Sequence, residues 1–347
     1  NLTEGMPGYD KYPVFSPDDS MIAFTSMERP GNESDKDRLF VMSLADGSKR
    51  YLTEGFDYNA GNVRWADDST LLFLSPIRAT IQLCSVSLSG GPVRVITSGA
   101  HDLNAFSAAG GRVVAEMTTL GSPTELFDVK PSDGAMTRIT NTNAEIYEHI
   151  RMGKVEERWV ETTDGKRMLV WVVLPPDFDP SKKYPALLYC QGGPQSVVSQ
   201  FWSYRWNLQL MAAQGYVVVA PNRRGLPSFG QEWLDQISGD YSGQNIRDYL
   251  SAIDDVSAEP WVDRDRLGCV GASYGGYSVF FLAGNHQKRF KAFIAHCGMF
   301  NFESMYGATE ELWFPNNDLG GPYWSDSPVA RRSYANSPHK FVKNWDT

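Results

Sequence analysis

Five residues, Gly271-Ala272-Ser273-Tyr274-Gly275, have the spacing G-x-S-x-G. A serine flanked in this way sits on a turn too sharp for a Cβ at either glycine, so its hydroxyl is lifted clear of the backbone to act as a nucleophile. The bare pattern is weak and its surroundings decide. Leu267-Gly268-Cys269-Val270 reads as a strand running straight into it, and Gly276 to Ala283 reads as a helix leaving it. At a helix N-terminus the dipole and the free amides favour negative charge. The competing reading is an ordinary N-cap serine, whose side chain bonds the first turn of its own helix.

A second segment, Gln191-Gly192-Gly193-Pro194, follows the apolar run Pro185-Ala186-Leu187-Leu188-Tyr189-Cys190. Glycines here let the backbone approach a tetrahedral oxygen closely, so the N–H groups of Gly193 and of Tyr274 are the candidate oxyanion donors. A Gly-Pro turn without a chemical role is the alternative for this loop taken alone.

Strands and helices must alternate to hold such a site. Residues 155 to 174 read as an antiparallel hairpin around Asp164-Gly165, Tyr216-Val217-Val218-Val219-Ala220 reads, like Pro185 to Cys190, as a continuous apolar strand of a sheet covered on both faces, and Ala292-Phe293-Ile294-Ala295 reads as a further strand. Helical spacing over Trp202 to Gln214, ending at Gly215, and over Tyr249 to Val256 separates them. This alternation predicts a doubly wound α/β sheet of the α/β-hydrolase type. In that fold the order is serine, acid, histidine. Only His286, His296 and His339 follow Ser273. His286 falls in the polar stretch Asn285-His286-Gln287-Lys288, read as a surface loop, and His296 follows the serine too early for an intervening acid. His339 has only Asp318 and Asp326 upstream as aspartates, in a Gly-, Pro- and Trp-rich segment without a core-strand pattern. The expectation is that both acid and base lie beyond Thr347.

The first part of the chain repeats. Arg50-Tyr51-Leu52-Thr53, Arg94-Val95-Ile96-Thr97 and Arg138-Ile139-Thr140 recur with a period of about 44 residues, each preceded by a hairpin dipeptide, Asp46-Gly47, Gly90-Gly91 or Asp133-Gly134. Phe15-Ser16-Pro17-Asp18-Asp19-Ser20 returns as Trp65-Ala66-Asp67-Asp68-Ser69. Short strands at this period predict blades of a β-propeller, and about three blades do not close a ring. A meander of hairpins without a ring is the alternative. The domain expectation is therefore partial propeller blades over residues 1–148 and an α/β-hydrolase domain over 149–347, incomplete at its C-terminus.

Composition narrows the function classes. The 347 residues carry a formal charge of −9, which opposes binding to nucleic acid, since phosphates need clustered Lys and Arg. No apolar run approaches the length of a membrane span, and Asn1-Leu2-Thr3-Glu4-Gly5 lacks the features of a signal peptide. The four cysteines, Cys84, Cys190, Cys269 and Cys297, have no metal-binding spacing; Cys190, Cys269 and Cys297 lie at strand-like runs and are read as small buried hydrophobes. No metal and no cofactor is expected.

The blade markers, Gln191-Gly192-Gly193-Pro194, Pro221-Asn222-Arg223-Arg224-Gly225, Asp263-Arg264-Asp265-Arg266-Leu267 and Gly271-Ala272-Ser273-Tyr274-Gly275-Gly276-Tyr277 occur in an order that resembles the prolyl oligopeptidase family of serine peptidases over essentially the whole chain. The stretches from Met305-Tyr306 to Gly320-Gly321-Pro322-Tyr323-Trp324 and from Ser337 to Thr347 look most like its bacterial dipeptidyl-peptidase branch. The resemblance implies a serine exopeptidase that releases dipeptides from free N-termini, preferring Ala or a hydrophobic residue before the scissile bond. Carried over by position, Ser273 is the nucleophile, Gly193 and Tyr274 form the oxyanion hole, and Phe302, Met305 and Tyr306 line the pocket for the residue before the scissile bond; for these three, core packing is the alternative. Gln191 departs from the family, in which His is usual there. Peptide substrates, a homodimer through the hydrolase domain and a periplasmic or secreted location are also implied, with a cytoplasmic location as the alternative. An acylaminoacyl peptidase or oligopeptidase, and a catalytically inactive fragment or binding protein, are the other functional readings.

Overall fold

The computed structural model describes residues 1–347 and separates them into two compact units. The units do not follow the chain as two uninterrupted blocks. The first comprises Asn1–Ile150 together with Ser199–Tyr204 and Pro227–Gln231, and the second holds the remainder.

The first unit is built from antiparallel meanders. Strands β1 (Asp10–Phe15), β2 (Met21–Ser26), β3 (Arg38–Ser43) and β4 (Lys49–Tyr51) form a four-stranded sheet in chain order. A second meander, β5 (Gly61–Asp67), β6 (Thr70–Ile77), β7 (Thr80–Ser87) and β8 (Arg94–Val95), is followed by a third, β9 (Asp102–Ala109), β10 (Arg112–Thr119), β11 (Ser122–Val129) and β12 (Met136–Arg138). A single parallel bridge between Ile81 and Asp102 joins these two into one sheet. A short helix, α1 (Ala144–Tyr147), follows.

The repeated residues perform repeated structural tasks. The hydroxyls of Thr53, Thr97 and Thr140 accept the backbone N–H of Leu39, Leu83 and Leu126 at 3.0, 2.9 and 2.9 Å, closing the outer edge of each meander in the same way. Asp18 and Asp67 receive the amides of Ser20 and Ser69, the side-chain-to-backbone bond that makes a tight turn. Alternation along β6 then decides the packing: Leu71 and Phe73 face a core shared with Ala23, Leu39 and Val41 of the first meander, while Leu72 and Leu74 face Leu103, Phe106 and Val113 of the third. The middle meander is thus buried on both faces.

In the second unit the sheet order is β13 (Val155–Glu161), β14 (Arg167–Val173), β16, β15 (Tyr184–Cys190), β17 (Val262–Ala272) and β18 (Ala292–His296), with β16 spanning Val217–Pro221. The hairpin β13–β14 and the pair β14–β16 are antiparallel and the other pairs parallel. Every residue of β16 is buried, as a sheet covered on both faces requires. The helices are α2 (Leu208–Ala213), α3 (Gln231–Asp235), α4 (Gln244–Ser257), α5 (Tyr274–Ala283), α6 (Phe302–Ala308), α7 (Trp313–Asp318) and α8 (Pro328–Ala335). The helix expected from Trp202 is shorter than its periodicity suggests. It starts at Leu208, where the Asn207 side chain accepts the Leu210 N–H, because residues 199–204 are drawn into the first unit. No helix is long and apolar enough to cross a membrane.

Candidate active site

Strand β17 delivers Gly271 and Ala272 to a turn in which Ser273 has φ 57° and ψ −122°, and α5 begins at the next residue. Positive φ is costly for a residue with a Cβ, and such strain persists only where the surroundings over-determine it. The surroundings here are tight. A Cβ on Gly275 would stand 2.1 Å from the Cys190 carbonyl oxygen, and one on Gly271 would stand 2.6 Å from the Gly275 oxygen and 2.7 Å from that of Cys190. Both glycines are required because the end of β15 passes directly beneath the turn.

The Ser273 side chain is exposed and makes no capping bond to α5, which removes the N-cap reading. Its amide is anchored instead, donating to the His296 carbonyl at 2.9 Å. The loop after β15 runs beside it, since a Cβ on Gly192 would lie 3.7 Å from the Ser273 Cβ. Gly193 therefore follows immediately on a residue in contact with the serine. Tyr274 opens α5, where backbone N–H groups have no partner within the helix. Its side chain is fixed by hydrogen bonds with Asn245 and the Tyr241 carbonyl and by an edge-on contact with the Tyr241 ring at 4.9 Å. Burial pushes the Tyr274 and Tyr241 phenols well above their ordinary range, so both stay protonated. An exposed, strained hydroxyl beside a glycine loop and a helix N-terminus is suited to attack a carbonyl and to hold the resulting oxygen.

No histidine ring after Ser273 bonds its hydroxyl. The His286 ring is buried, contrary to the surface-loop expectation: Nδ1 accepts the Phe290 N–H at 3.0 Å, which leaves the proton on Nε2 to donate to Asp346 at 3.2 Å. Packing against Phe290 and Phe293 draws it inward in spite of its polar neighbours. The His339 ring bonds the Ser337 hydroxyl, and that of His296 lies edge-on to Trp206. None of these bonds or ring contacts reaches Ser273. Asp318 is buried and accepts from Tyr241, Ser238 and Gln195, which makes it a framework carboxylate; burial raises its pKa against those three bonds.

Phe302, Met305 and Tyr306 share α6. Phe302 is almost fully buried, stacked on Tyr277 at 5.1 Å, whereas Met305 and Tyr306 are half-buried and the Tyr306 hydroxyl donates to Asn316. Cys84, Cys190 and Cys269 are buried, but Cys297 is exposed, because the chain turns at φ 49° there and leaves the sheet. Asn222, Arg223 and Arg224 of the marker Pro221-Asn222-Arg223-Arg224-Gly225 are fully buried, the opposite of what charged residues ordinarily show, and Arg223 reaches the Pro194 carbonyl and the Tyr274 ring.

The sheet order, the parallel strand leading into the serine and the turn itself define an α/β-hydrolase framework. Residues 202–347 match the prolyl oligopeptidase family. Over its whole length the chain is 56% identical to dipeptidyl-peptidase 5 of Porphyromonas gingivalis and 50% identical to dipeptidyl-peptidase 5 of Porphyromonas endodontalis, covering 51% and 50% of those proteins. It thus spans about half the length of the curated relatives it matches. Among solved structures, acylaminoacyl peptidase of Pyrococcus horikoshii superposes with a TM-score of 0.84 at 23% identity, over 97% of this chain and 52% of the other, a likeness of fold.

Proposed function

We propose that this chain is part of a serine exopeptidase that releases dipeptides from the N-termini of peptides, with Ser273 as its nucleophile. The observation that carries the reading is the exposed Ser273 hydroxyl on a strained turn between β17 and α5, beside the Gly192-Gly193 loop. The Ser273 Oγ attacks the peptide carbonyl, the N–H groups of Gly193 and Tyr274 receive the oxyanion, and a histidine oriented by an acid takes the serine proton and returns it to the leaving amine. Water then releases the dipeptide from the acyl-enzyme. Acid and base are read as lying beyond Thr347, a reading supported by the hydrogen bonds that hold the His286 and His339 rings on Asp346 and Ser337.

Residues 1–148 are read as about three blades of a larger propeller, supported by the middle meander being buried on both faces, and residues 149–347 as the hydrolase domain. Met305 and Tyr306 line the pocket for an alanine or hydrophobic residue, with Phe302 as its buried support. The whole protein is placed in the periplasm or outside the cell, as a dimer through the hydrolase domain. The fold likeness to an acylaminoacyl peptidase supports the second reading, cleavage of blocked N-termini. The test uses the full-length protein with a fluorophosphonate probe, a free-amine dipeptidyl p-nitroanilide and an acetylated peptide. Labelling at Ser273 and cleavage of the free-amine substrate are expected. Cleavage of the acetylated peptide alone would replace the dipeptidyl reading, and absence of labelling would exclude Ser273 as nucleophile.

A further inference from the structure

The side chain of Arg223 is fully buried and has no carboxylate partner. Its contacts converge on both halves of the proposed oxyanion site. Nη2 donates to the Pro194 carbonyl at 3.1 Å and lies 3.5 Å from that of Gln191, the two residues bracketing Gly192-Gly193. The guanidinium carbon lies 4.6 Å from the centre of the Tyr274 ring, the residue whose amide is the other donor. Nε donates to the Tyr249 hydroxyl at 3.1 Å, and that hydroxyl lies 3.4 Å from the Gln191 carbonyl, a second brace on the same loop. Nη1 donates to the Arg224 carbonyl at 2.7 Å, and Trp233 donates to the carbonyl of Arg223 itself at 3.0 Å, so the arginine is held at backbone and side chain alike.

We propose that Arg223 is a positioning residue for the oxyanion hole: it clamps the Gln191–Pro194 loop against Tyr274 and places an uncompensated buried positive charge behind the two donors. A buried cation is costly unless its hydrogen bonds are satisfied, and here carbonyls, a phenol and a ring face meet that cost without neutralising the charge. The charge therefore remains available to favour the negative oxygen that develops in the transition state. A neutral bound substrate gains far less from it, so the clamp acts on kcat more than on KM. Lys at this position retains the charge but lacks the planar fork that reaches loop and ring together.

The inference rests on Ser273 being the nucleophile, and its test separates the two. In the full-length protein, wild type, R223K and R223M are compared for fluorophosphonate labelling of Ser273, for kcat and KM on a dipeptidyl p-nitroanilide, for inhibition by a peptidyl boronate and for thermal unfolding. R223M is expected to lose roughly 10²-fold in kcat, as when one oxyanion donor is removed, with KM within about 3-fold and boronate affinity falling in parallel. R223K is expected to recover about 10-fold of that loss. A folded R223M with wild-type kcat, a change in KM alone, or equal kcat in R223K and R223M would overturn the clamp. Should R223M fail to fold, R223K decides: unchanged kcat and boronate affinity would overturn it. Wild-type protein that takes no label would overturn the Ser273 reading and the clamp with it.

Discussion

Replacing Arg224 with Met tests the other half of the buried arginine pair. The Arg224 side chain is fully buried; it donates to both oxygens of Asp164 at 2.7 Å and to the Thr162 hydroxyl at 2.8 Å, and lies over the Trp233 ring at 4.3 Å. Its Nε also faces the fully buried carboxylate of Asp248 at 3.5 Å, a Coulombic contact, since no hydrogen bond forms there. The two carboxylates fare differently once the guanidinium is gone. Asp164 is 40% exposed and regains water, whereas Asp248 stays buried. Breaking a buried pair costs about 3–5 kcal/mol, chiefly for the charge left behind. Asp248 keeps the backbone N–H of residue 224 at 2.9 Å and Gln244 Nε2 at 2.9 Å, which puts R224M at the lower end, about 3 kcal/mol.

The pH dependence follows from the same geometry. Burial raises the Asp248 pKa, and Arg224 is the strongest influence opposing it. Without Arg224 the folded-state pKa climbs further above the unfolded one, so the folded variant binds a proton more tightly than the unfolded chain. The deficit of R224M should then shrink as pH falls through that raised pKa. Urea unfolding followed by tryptophan fluorescence at pH 8 and pH 5 measures it, and R224M/D248N should regain part of the loss. A deficit under about 1 kcal/mol at pH 8, or one equal at both pH values, would refute the reasoning.

Three further outcomes are expected. Because Ser273 sits at φ 57°, S273G should exceed S273A in stability by about 1 kcal/mol, a few degrees in melting temperature, while both lose fluorophosphonate labelling; equal melting temperatures would deny the strain. In the first unit, burial pushes Asp102 up to about 6 and its neighbour His101 down to about 4. As pH falls from about 6.5 to 4 the Asp102 contribution gains stability while that of His101 loses it, so the wild type changes little. H101Q should therefore gain about 3 kcal/mol over this window, read from urea midpoints, and a flat profile would contradict it. Native protein should react with an aromatic disulfide reagent at Cys297 alone, since the other three thiols are buried and that of Cys84 is pushed up to about 12; rapid modification of Cys190 or Cys269 would show the sheet to be open.

Much of the site was legible because it is local. A G-x-S-x-G turn between a strand and a helix, a hairpin at Asp164-Gly165 and threonines recurring with the strand repeat each express a backbone conformation within a few residues, and such conformations restrict residue type directly. What could not be read is what depends on the distance partner. The burial of charged and polar residues is of this kind: Arg223 and Arg224 are buried by partners some 24 to 62 positions away, and His286 is buried by Phe290, Phe293 and the distant Asp346. The truncated helix before Leu208 has the same origin, since Ser199 and the Gln200 amide bond Asp102, 97 and 98 positions earlier.

By itself, then, the sequence determined the sharp turn that carries Ser273, the glycine loop and the strand repeat, because a missing Cβ or a side-chain-to-backbone bond is decided by the residue where it stands. Only the tertiary structure decided that Arg223 and Arg224 are buried, the first donating to the Pro194 carbonyl of the glycine loop and the second to Asp164, because the free energy of burying a charge depends on partners that folding alone brings together.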